Sequence, residues 1–463
     1  MRTATISFEM VRDALRLDTK FFLDSGDVAA KRVQSGVWRL RSAGETFGKS
    51  AIWMPNRFAR VWAADARFGK PLLVPYDGFR YMPWSRSYLS SSQVSEYSQA
   101  EVSRGMLLIV RSGRNCGPIT MADAFIERFT VSDDMVRISG DLNDDRFYFY
   151  AFLATPTGQA LVRRDRNGSV IDHLGPDQIA ALQYPIVNDA LRKKCAAKFR
   201  QGFEKREQAR LLLAETQDAF LRHFDLAHAE ADFSPAEQAR RFTISRRQIL
   251  DRFDAEPRAP RYAAWCERIR SAGGCALGQI ADVFKPFGRY KTNYVDDARY
   301  GVRMMNGRQI SQYRPIALRL MSLSAFKDPD AFRLATGTTL LTADGRAEEN
   351  LADCALVAGD REGWAASGHV HRVSPRAGIH PGLVYLACSC APVQAQVKAL
   401  ATGSVVDALS EHDVASVIVP YKDSAATRKL GEAAQKAWQL FAEATAAEDE
   451  AIAALEAEFA GET

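Results

Sequence analysis

The chain has 463 residues, of which 47% are hydrophobic and 25% are charged, and its formal net charge is +5. This composition is typical of a water-soluble protein long enough to bury the cores of two or more domains. It argues against a membrane protein, since no apolar run approaches the roughly 18–20 residues that span a bilayer, and against a secreted one, since MRTATISFEM lacks an apolar signal segment.

The first part of the chain predicts a mixed α/β region that leads into a long helix. The apolar runs MLLIV (106–110) and FYFYAFL (147–153) predict strands or short buried helices, separated by Gly and Pro. A Gly-Ser-Val loop at 168–170 and Pro185 follow. A charged stretch with apolar residues at mostly helical spacing then predicts a helix over about 186–224.

The second part of the chain repeats this order. The apolar run LVYLACS (383–389) precedes a second Gly-Ser-Val loop at 403–405 and then Pro420. A long helix is predicted over about 425–459. At 1.5 Å per residue each of the two helices would be about 50–60 Å long, which suggests a coiled-coil spacer.

An internal alignment shows that the two parts are copies. Residues 150–185 align with 385–420 at an offset of 235 without a gap, and eleven positions are identical. Ordinary composition would give roughly two. Upstream the offset becomes 232, in two pairs of segments: NRFARVWAADARFG (56–69) with GRYKTNYVDDARYG (288–301), and GMLLIVRSGR (105–114) with GTTLLTADGR (337–346). The chain is therefore a tandem duplication of about 230 residues.

The duplication predicts an α+β fold with two mixed α/β domains, each followed by a long helix. The predicted boundaries are 1–185 for the first domain, 186–230 for the first helix, 231–420 for the second domain and 421–463 for the second helix.

Charge predicts that the two helices pair antiparallel. Residues 186–225 hold nine Lys/Arg and six Asp/Glu, whereas 421–463 hold four Lys/Arg and nine Asp/Glu. The basic cluster lies early in its helix and the acidic cluster late: Arg192, Lys193, Lys194, Lys198 and Arg200 against Glu443, Glu448, Asp449, Glu450, Glu456 and Glu458. Only an antiparallel pair brings the clusters together. Two separate, solvated helices are the alternative.

No motif in the sequence indicates catalysis. There is no phosphate loop, no GxGxxG between a strand and a helix, no HExxH, no GxSxG and no NPPY or DPPY. His369 and His371 have no third ligand near them in sequence, and His173 corresponds to Ala408 in the second copy. The seven scattered cysteines fit reduced thiols in the cytoplasm. We expect neither a catalytic residue nor a metal site.

The order domain, helix, domain, helix resembles the specificity subunit of Type I restriction–modification systems. Several segments carry the resemblance: RLDTKFF (16–22), ARFGKPLL (66–73), MLLIVRSGRNCGP (106–118) and, most closely, YAFLATPTGQALVRRDRNGSVIDHLGPDQIAALQYPIV (150–187). The likeness extends over nearly the whole chain but is loose in sequence. The Ala-rich second helix departs from it and is compatible with a related methylation-linked defence system.

The resemblance implies a non-catalytic subunit that binds double-stranded DNA. Each domain would read one half of a split site in the major groove. The helices would set the distance between the halves and dock DNA methyltransferase subunits and, in a restriction system, a restriction/translocase subunit. The cofactor S-adenosylmethionine is expected on the partner methyltransferase and none on this chain.

Candidate DNA-binding residues are basic or amide side chains interleaved with aromatic ones. In the first copy they are Arg57, Arg60, Arg67, Lys70, Arg80, Arg86, Arg111 and Arg114. In the second copy they are Arg289, Lys291, Arg303, Asn306, Arg308, Gln309, Gln312 and Arg314, to which Arg299 adds a further charge. Residues 303–314 are the leading candidate for a base-reading loop. The turn at 343–349 is acidic, which argues against DNA contact there.

The Gly-Ser-Val loops are interpreted as structural hinges. Gly168 and Gly403 would supply positive φ or a close backbone approach, and Ser169, Ser404, Asp172 and Asp407 would cap the following helical turns. Two rival hypotheses remain for the chain: a coiled-coil scaffold that does not bind DNA, and an enzyme with a diverged site between the copies.

Overall fold

The computed structural model describes residues 25–57, 59–93, 98–113, 115–164, 172–227, 234, 236–238, 241–249, 253–286, 290–324, 326, 328–403 and 406–461. Two compact units make up the chain: unit 1 is Met1–Glu207 with Glu443–Thr463, and unit 2 is Gln208–Ala442. The chain passes from one unit to the other within each of its two long helices.

Unit 1 is a mixed α/β structure. Its described elements, in chain order, are α1 Ser25–Ser35, β1 Arg39–Ser42, α2 Ala43–Phe47, β2 Ile52–Trp53, β3 Trp62–Ala63, β4 Gly69–Leu73, β5 Tyr88–Ser90, β6 Leu107–Val110, β7 Ile119–Met121, β8 Thr130–Val131, β9 Met135–Ile138, α3 Asp144–Ala154, α4 Pro156–Arg164, α5 Pro176–Ala181, β10 Gln183–Ile186 and the long α6 Asp189–His223. The strands form sheets of order β2-β9-β6-β7 and β3-β5-β4-β8 and a β1-β10 ladder.

Unit 2 has the same plan. Its described elements are α7 Pro260–Ser271, β11 Cys275–Ala276, α8 Leu277–Ile280, β12 Ala281–Phe284, β13 Tyr294–Val295, β14 Val302–Met305, β15 Arg319–Met321, β16 Thr339–Thr342, β17 Asp344–Gly345, β18 Cys354–Leu356, β19 Ala365–Ala366, β20 Val370–Pro375, α9 Pro381–Ser389, α10 Ala391–Ala399, β21 Asp407–Ala408, α11 Glu411–Ser416, β22 Ile418–Val419 and the long α12 Ala425–Ala460. The sheets have the order β12-β20-β16-β18 and β13-β15-β14-β19, with β11-β22 and β17-β21 ladders.

Strand register confirms that the sequence duplication is a duplication of structure. In unit 1 the parallel pair β4-β8 aligns Leu72 with Thr130. In unit 2 the parallel pair β14-β19 aligns Met304 with Ala365. These partners differ by 232 and 235 residues, the two offsets found in the sequence. The α+β fold predicted from the repeat is therefore the observed one.

The aromatic run at 147–153 forms the central helix of unit 1. Helix α3 is buried on all sides, as an α-helix with no polar face must be. Its rings pack against the long helices: Phe147 lies 5.9 Å from Phe203, Tyr150 lies 4.9 Å from Phe199, and Phe152 lies 6.1 Å from Phe459, measured between ring centroids. These contacts join the globular part of unit 1 to both helix segments that belong to it.

In each unit a buried arginine joins a strand to the backbone of neighbouring segments. Arg137 on β9 donates to the carbonyl oxygens of Gln99 and Val131. Its counterpart Arg372 on β20 donates to those of Ala331 and Phe332. Burial lowers the pKa of each guanidinium to about 10, so both stay charged at neutral pH. The repeated arginine thus satisfies backbone groups inside each unit and is not a DNA contact.

The predicted antiparallel pairing of the long helices is observed in unit 1. Lys198 forms an ion pair with Glu450 and Lys205 forms one with Glu443, so residue numbers fall along one helix as they rise along the other. Cys195 Sγ also lies 3.8 Å from the carbonyl oxygen of Ala451.

The predicted matching of the two charge clusters is wrong for most of the basic residues. Arg192 pairs with Asp145 and Asp189, Lys193 with Asp189, and Arg200 with Asp144. These acids lie in the first turns of α3 and α6 and are closer than the acidic cluster. On the acidic side, Glu458 accepts the indole N–H of Trp38 at 2.9 Å. Lys198 forms an ion pair across the helix pair with Glu450, and the charge of Lys194 acts on the same carboxylate.

The residues that follow each Gly-Ser-Val loop bond to the backbone just after strand β6 or β16. The amide of Leu174 donates to Arg111 O at 2.8 Å, and that of Leu409 donates to Ala343 O at 2.9 Å. A Cβ on Gly403 would lie 2.0 Å from Val406 O, so the predicted close backbone approach is confirmed there. The loop residues Gly168, Ser169 and Ser404 lie outside the described residues.

The predicted helix caps in these loops need correction for the second copy. Asp407 accepts the amide of Ala347 at 2.9 Å and does not cap the next helix. Ser410 caps α11 instead, accepting the amide of Asp413 at 3.0 Å. The prediction named Asp407 and not Ser410. Asp407 lies too many residues before the helix for its side chain to reach the first turn.

Candidate nucleic-acid interface

Of the two four-stranded sheets in each unit, β3-β5-β4-β8 and β13-β15-β14-β19 have the fewer strand residues, and we call each the smaller sheet of its unit. The smaller sheet exposes aromatic rings at equivalent positions in both units. Trp62 and Phe68 flank the β3–β4 turn in unit 1, and Tyr294 and Tyr300 flank the β13–β14 turn in unit 2. Each pair differs from the other by 232 residues. All four rings are at least 44% exposed, whereas large aromatic side chains are usually buried for the most part. Residues 62–68 and their copy, 294–300, therefore expose aromatic rings in the same pattern.

The turn between these rings holds an arginine in one geometry in both units. We call residues 65–68 and 297–300 the arginine turns. The backbone amide of Arg67 donates to Asp65 Oδ1 at 2.9 Å, and Arg299 donates in the same way to Asp297 at 2.9 Å. Each guanidinium also binds that carboxylate through Nε and Nη2, over 2.6–3.1 Å.

An aromatic ring and a glycine complete each arginine turn. The guanidinium carbon lies 5.4 Å from the Phe68 centroid and 5.5 Å from that of Tyr300. The next residue is glycine in both copies, because a Cβ on Gly69 would lie 2.2 Å from Leu89 O and one on Gly301 would lie 2.5 Å from the Val295 side chain. The hydrogen-bonded arginine lowers the pKa of the aspartate below its usual value, so the carboxylate is ionised at neutral pH.

Three other basic candidates of unit 1 form ion pairs with acidic residues. Asp133 is nearly buried and pairs with both Arg57, at 3.6 Å, and Arg60. Lys70 on β4 pairs with Glu101. These three cations lie next to the smaller sheet with part of their charge compensated.

Aromatic stacking positions Arg80 and Arg86. Both guanidinium carbons lie near the Trp84 ring, at 5.4 and 5.3 Å from its centroid. Arg86 is exposed whereas Arg80 is buried. Arg111 has a structural position, since its Nε donates to Leu174 O at 3.2 Å. Arg114 lies outside the described residues.

Unit 2 stacks two exposed arginines on rings of its smaller sheet. Arg303 on β14 lies 4.8 Å from the Trp364 centroid, and Arg319 on β15 lies 3.7 Å from that of Tyr294. Arg319 was not predicted from the sequence, because its strand has only three residues and its neighbours in the sheet are not evident from the sequence. Lys291 is exposed and Arg314 is half-buried. Arg289 lies outside the described residues.

The leading base-reading candidate, residues 303–314, is corrected by the structure at two positions. Gln309 and Gln312 are only 5% and 8% exposed. Gln309 Oε1 accepts the Asn306 amide at 2.9 Å and its Nε2 donates to Ile316 O at 2.8 Å. Gln312 accepts the Ile316 amide at 3.0 Å. Both amides satisfy the backbone of their own loop and cannot reach a base.

Asn306 and Arg308 have different environments in the same loop. Asn306 is exposed, but its Oδ1 accepts the amides of Arg308 and Gln309, so half of its side-chain amide is engaged. Arg308 is 72% exposed and pairs with Glu349 at 3.0 Å. Arg308 and Arg303 are thus the arginines of this loop whose side chains are exposed.

The acidic turn at 343–349 packs against the second Gly-Ser-Val segment. Its strand β17 pairs with β21, Asp344 aligning with Ala408, and the carboxylate of Asp344 binds His369. Its Glu349 holds Arg308. The turn therefore supports its neighbours, and the expectation that it makes no DNA contact itself stays a prediction.

The histidine pair has no metal-binding geometry. His371 is fully buried and donates from Nε2 to Leu409 O at 3.0 Å, and burial lowers its pKa to about 4. Throughout the described part of the chain no three His, Cys, Asp or Glu side chains converge as metal ligands. None of the helices in the described ranges has the length and apolar character needed to cross a bilayer.

Comparison with known proteins returns structural neighbours. The chain is similar to a Type I restriction-modification S subunit from M. genitalium (11% identity, 93% of this chain and 96% of that one, TM-score 0.30). It is similar to the HsdS subunit from Thermoanaerobacter tengcongensis (12%, 92% and 97%, 0.28) and to a chain from a study of assembly and conformational transition in the type I R-M system (13%, 91% and 97%, 0.28).

Sequence-level comparisons add nothing further: no family model matches the chain, and no curated protein matches it.

Proposed function

We propose that this chain is the DNA-recognition subunit of a restriction–modification or related phage-defence system. It reads a bipartite site in double-stranded DNA and docks DNA methyltransferase subunits. One observation carries the proposal: two units of the same topology, each with exposed arginines stacked on aromatic rings beside its smaller sheet, and each containing segments of two long helices.

The chemistry of these surfaces suits DNA. Exposed guanidinium groups can bind phosphates or the O6 and N7 atoms of guanine, and stacking on a ring restricts the side chain without neutralising it. Arg86, Arg303, Arg308 and Arg319 have this exposure in the structure. The remaining described basic candidates, Arg57, Arg60, Lys70, Lys291 and Arg314, would contribute through phosphate contacts near the same sheets.

The proposal makes the chain a non-catalytic component. Methyl transfer would use S-adenosylmethionine bound to the partner, and a restriction/translocase subunit would join in a restricting system. We place the protein in the cytoplasm, where its DNA target is; the seven cysteines, which the structure does not join in disulfides, fit that reducing compartment.

The test is to map methylated bases in a host that carries the partner methyltransferase with and without this chain. We expect methylation of one bipartite motif only when the chain is present, and DNA binding by the purified complex that weakens steeply with salt. Methylation that does not depend on the chain, with no DNA binding by the complex, would favour the scaffold hypothesis. Methylation by the chain alone with S-adenosylmethionine would favour an enzyme.

A further inference from the structure

The arginine turns are the part of the candidate interface that both units share. Around them the exposed residues differ: Arg303 and Arg319 of unit 2 stand where unit 1 has Pro71 and Ser87, at the offset of 232. Residues that differ can give the two half-sites different sequences. The turns, by contrast, keep the order Asp-Ala-Arg-aromatic, the same hydrogen bonds to the aspartate and a similar ring contact, so they should contact a feature that both half-sites have.

The geometry of the guanidinium limits what that feature can be. Arginine has five N–H donors in a planar fork. Asp65 and Asp297 engage Nε and one hydrogen of Nη2. The opposite edge, formed by Nη1 and the second Nη2 hydrogen, then offers two parallel donors, and Arg67 and Arg299 are each 79% exposed.

Two parallel donors match the guanine edge in the major groove. Guanine presents the acceptors O6 and N7 side by side, and no other base has two acceptors there. The aspartate on one edge and the ring against the guanidinium hold an otherwise flexible side chain in a single orientation. Such preorganisation reduces the rotamer freedom lost on binding. A phosphate contact, which only requires positive charge, would be weakened by the paired carboxylate.

We propose that Arg67 and Arg299 each bind the O6/N7 edge of a guanine, so that both half-sites carry a guanine at the equivalent position. This inference rests on the proposed function and names part of the recognised sequence. The aspartates are positioning residues for these contacts, and Phe68 and Tyr300 back the guanidinium groups.

The experiment uses the full chain in complex with its methyltransferase partner, at fixed salt. Each guanine of the mapped motif is replaced in turn by 7-deazaguanine, which lacks the N7 acceptor. The complex with the original protein should bind about fivefold or more weakly when one particular guanine of each half-site is replaced. Arg67→Ala should abolish that sensitivity in one half-site and Arg299→Ala in the other. Arg376→Ala, which removes another exposed Arg–Asp pair of unit 2, is the control and should keep both.

The Asp65→Asn variant distinguishes a guanine contact by Arg67 from a general effect of charge on DNA binding. If Arg67 reads guanine, the variant should discriminate less at that base while binding to unrelated DNA stays equal or increases. Uniform loss of affinity in Arg67→Ala on all sequences would mean a phosphate contact and would overturn the inference. The inference would also be overturned if Arg67→Ala no longer bound the methyltransferase but still bound DNA, because Arg67 would then contact the protein partner. In both cases the proposed function would stand as long as the original complex methylates a bipartite motif.

Discussion

Gln309 and its counterpart Asp77 show how a polar residue in a polar stretch becomes part of the interior. Each side chain accepts a hydrogen bond from the backbone amide three residues before it. Gln309 accepts from Asn306 N at 2.9 Å, and Asp77 accepts from Val74 N at 3.3 Å. Gln312 and Arg80 are likewise equivalent and buried. The density of Arg, Asn and Gln at 303–314 was visible in the sequence. Which of these side chains turn inward depends on the loop conformation, which composition does not determine.

Gln309→Ala should therefore destabilise the protein, whereas Arg308→Ala should not. The first variant removes a buried amide and leaves the Asn306 N–H and the Ile316 carbonyl without this partner, which costs about 1–3 kcal/mol. Arg308 is 72% exposed, and its removal should change the free energy of unfolding by less than about 0.5 kcal/mol. Urea unfolding of the two variants measures the difference. Equal midpoints would contradict the assignment of Gln309 to the core.

Buried His371 should make unit 2 sensitive to mild acid. Its pKa is about 4 in the folded protein against an ordinary value of 6.5, because burial disfavours the imidazolium. Between these values the unfolded chain binds more protons than the folded one, so stability falls as the pH decreases from 6.5 to 4, by up to about 3 kcal/mol. His371→Gln keeps a donor for Leu409 O but cannot titrate. Its melting temperature should decline less than that of the original protein over this pH range; parallel curves would argue against the shift.

At the scale of elements, long periodic segments were predictable and short strands were not. The helices predicted at 186–224 and 425–459 are observed as Asp189–His223 and Ala425–Ala460. Strands such as Trp62–Ala63 and Ala365–Ala366 have two residues, too few for an alternating pattern to be recognised. The sequence of the apolar run at 147–153 was compatible with a strand or a helix. The run forms a helix that is buried on all sides.

The helix pair of unit 1 contains a buried ion pair whose partners were not matched from the sequence. Arg206 Nη2 lies 2.8 Å from Glu448 Oε1, and the two side chains are 5% and 1% exposed. Glu448 fits because residue 202 is glycine, where a Cβ would lie 2.8 Å from Glu448 Cγ. An ion pair in an apolar seam is sensitive to register, since sliding one helix would bury each charge away from the other.

Removing one partner of this pair should be much more damaging than removing both. Arg206→Met deprives the buried Glu448 carboxylate of its cation, which costs about 3–5 kcal/mol, whereas Arg206→Met with Glu448→Met replaces the pair by apolar contacts at little cost. Lys198→Met removes the partly exposed pair with Glu450 and should cost less than about 1 kcal/mol. Thermal unfolding of the three variants provides the comparison. A single variant as stable as the double one would show that the pair does not restrain the seam.

For the whole molecule, the repeat was the strongest signal in the sequence. Eleven identities in 36 aligned positions established the duplication, and the sheets of the two units have the same strand order. The candidate interface was only partly accessible to sequence reasoning. The basic segments 56–86 and 289–314 were predicted from the sequence. Arg319 and the repeated geometry of the arginine turns were not, since both depend on which strands become neighbours.

The two units should divide DNA recognition between them. Arg303 and Arg319 lie on adjacent strands of unit 2, stacked on Trp364 and Tyr294, and unit 1 has no arginine at either equivalent position. Arg303→Ala with Arg319→Ala should therefore lower affinity at least about tenfold on DNA that contains the half-site read by unit 2. On DNA in which that half-site is scrambled, the variant and the original complex should bind alike.

Arg86→Ala in unit 1 provides the converse, because Leu318 replaces it in the second copy. It should affect only the other half-site. The measurement is a binding series at fixed salt with each half-site scrambled in turn and the partner methyltransferase present. If both variants weaken binding equally on every DNA, these arginines contact phosphates. If neither changes affinity, the reading surface lies away from the smaller sheets, and the stacked arginines serve only to stabilise their units.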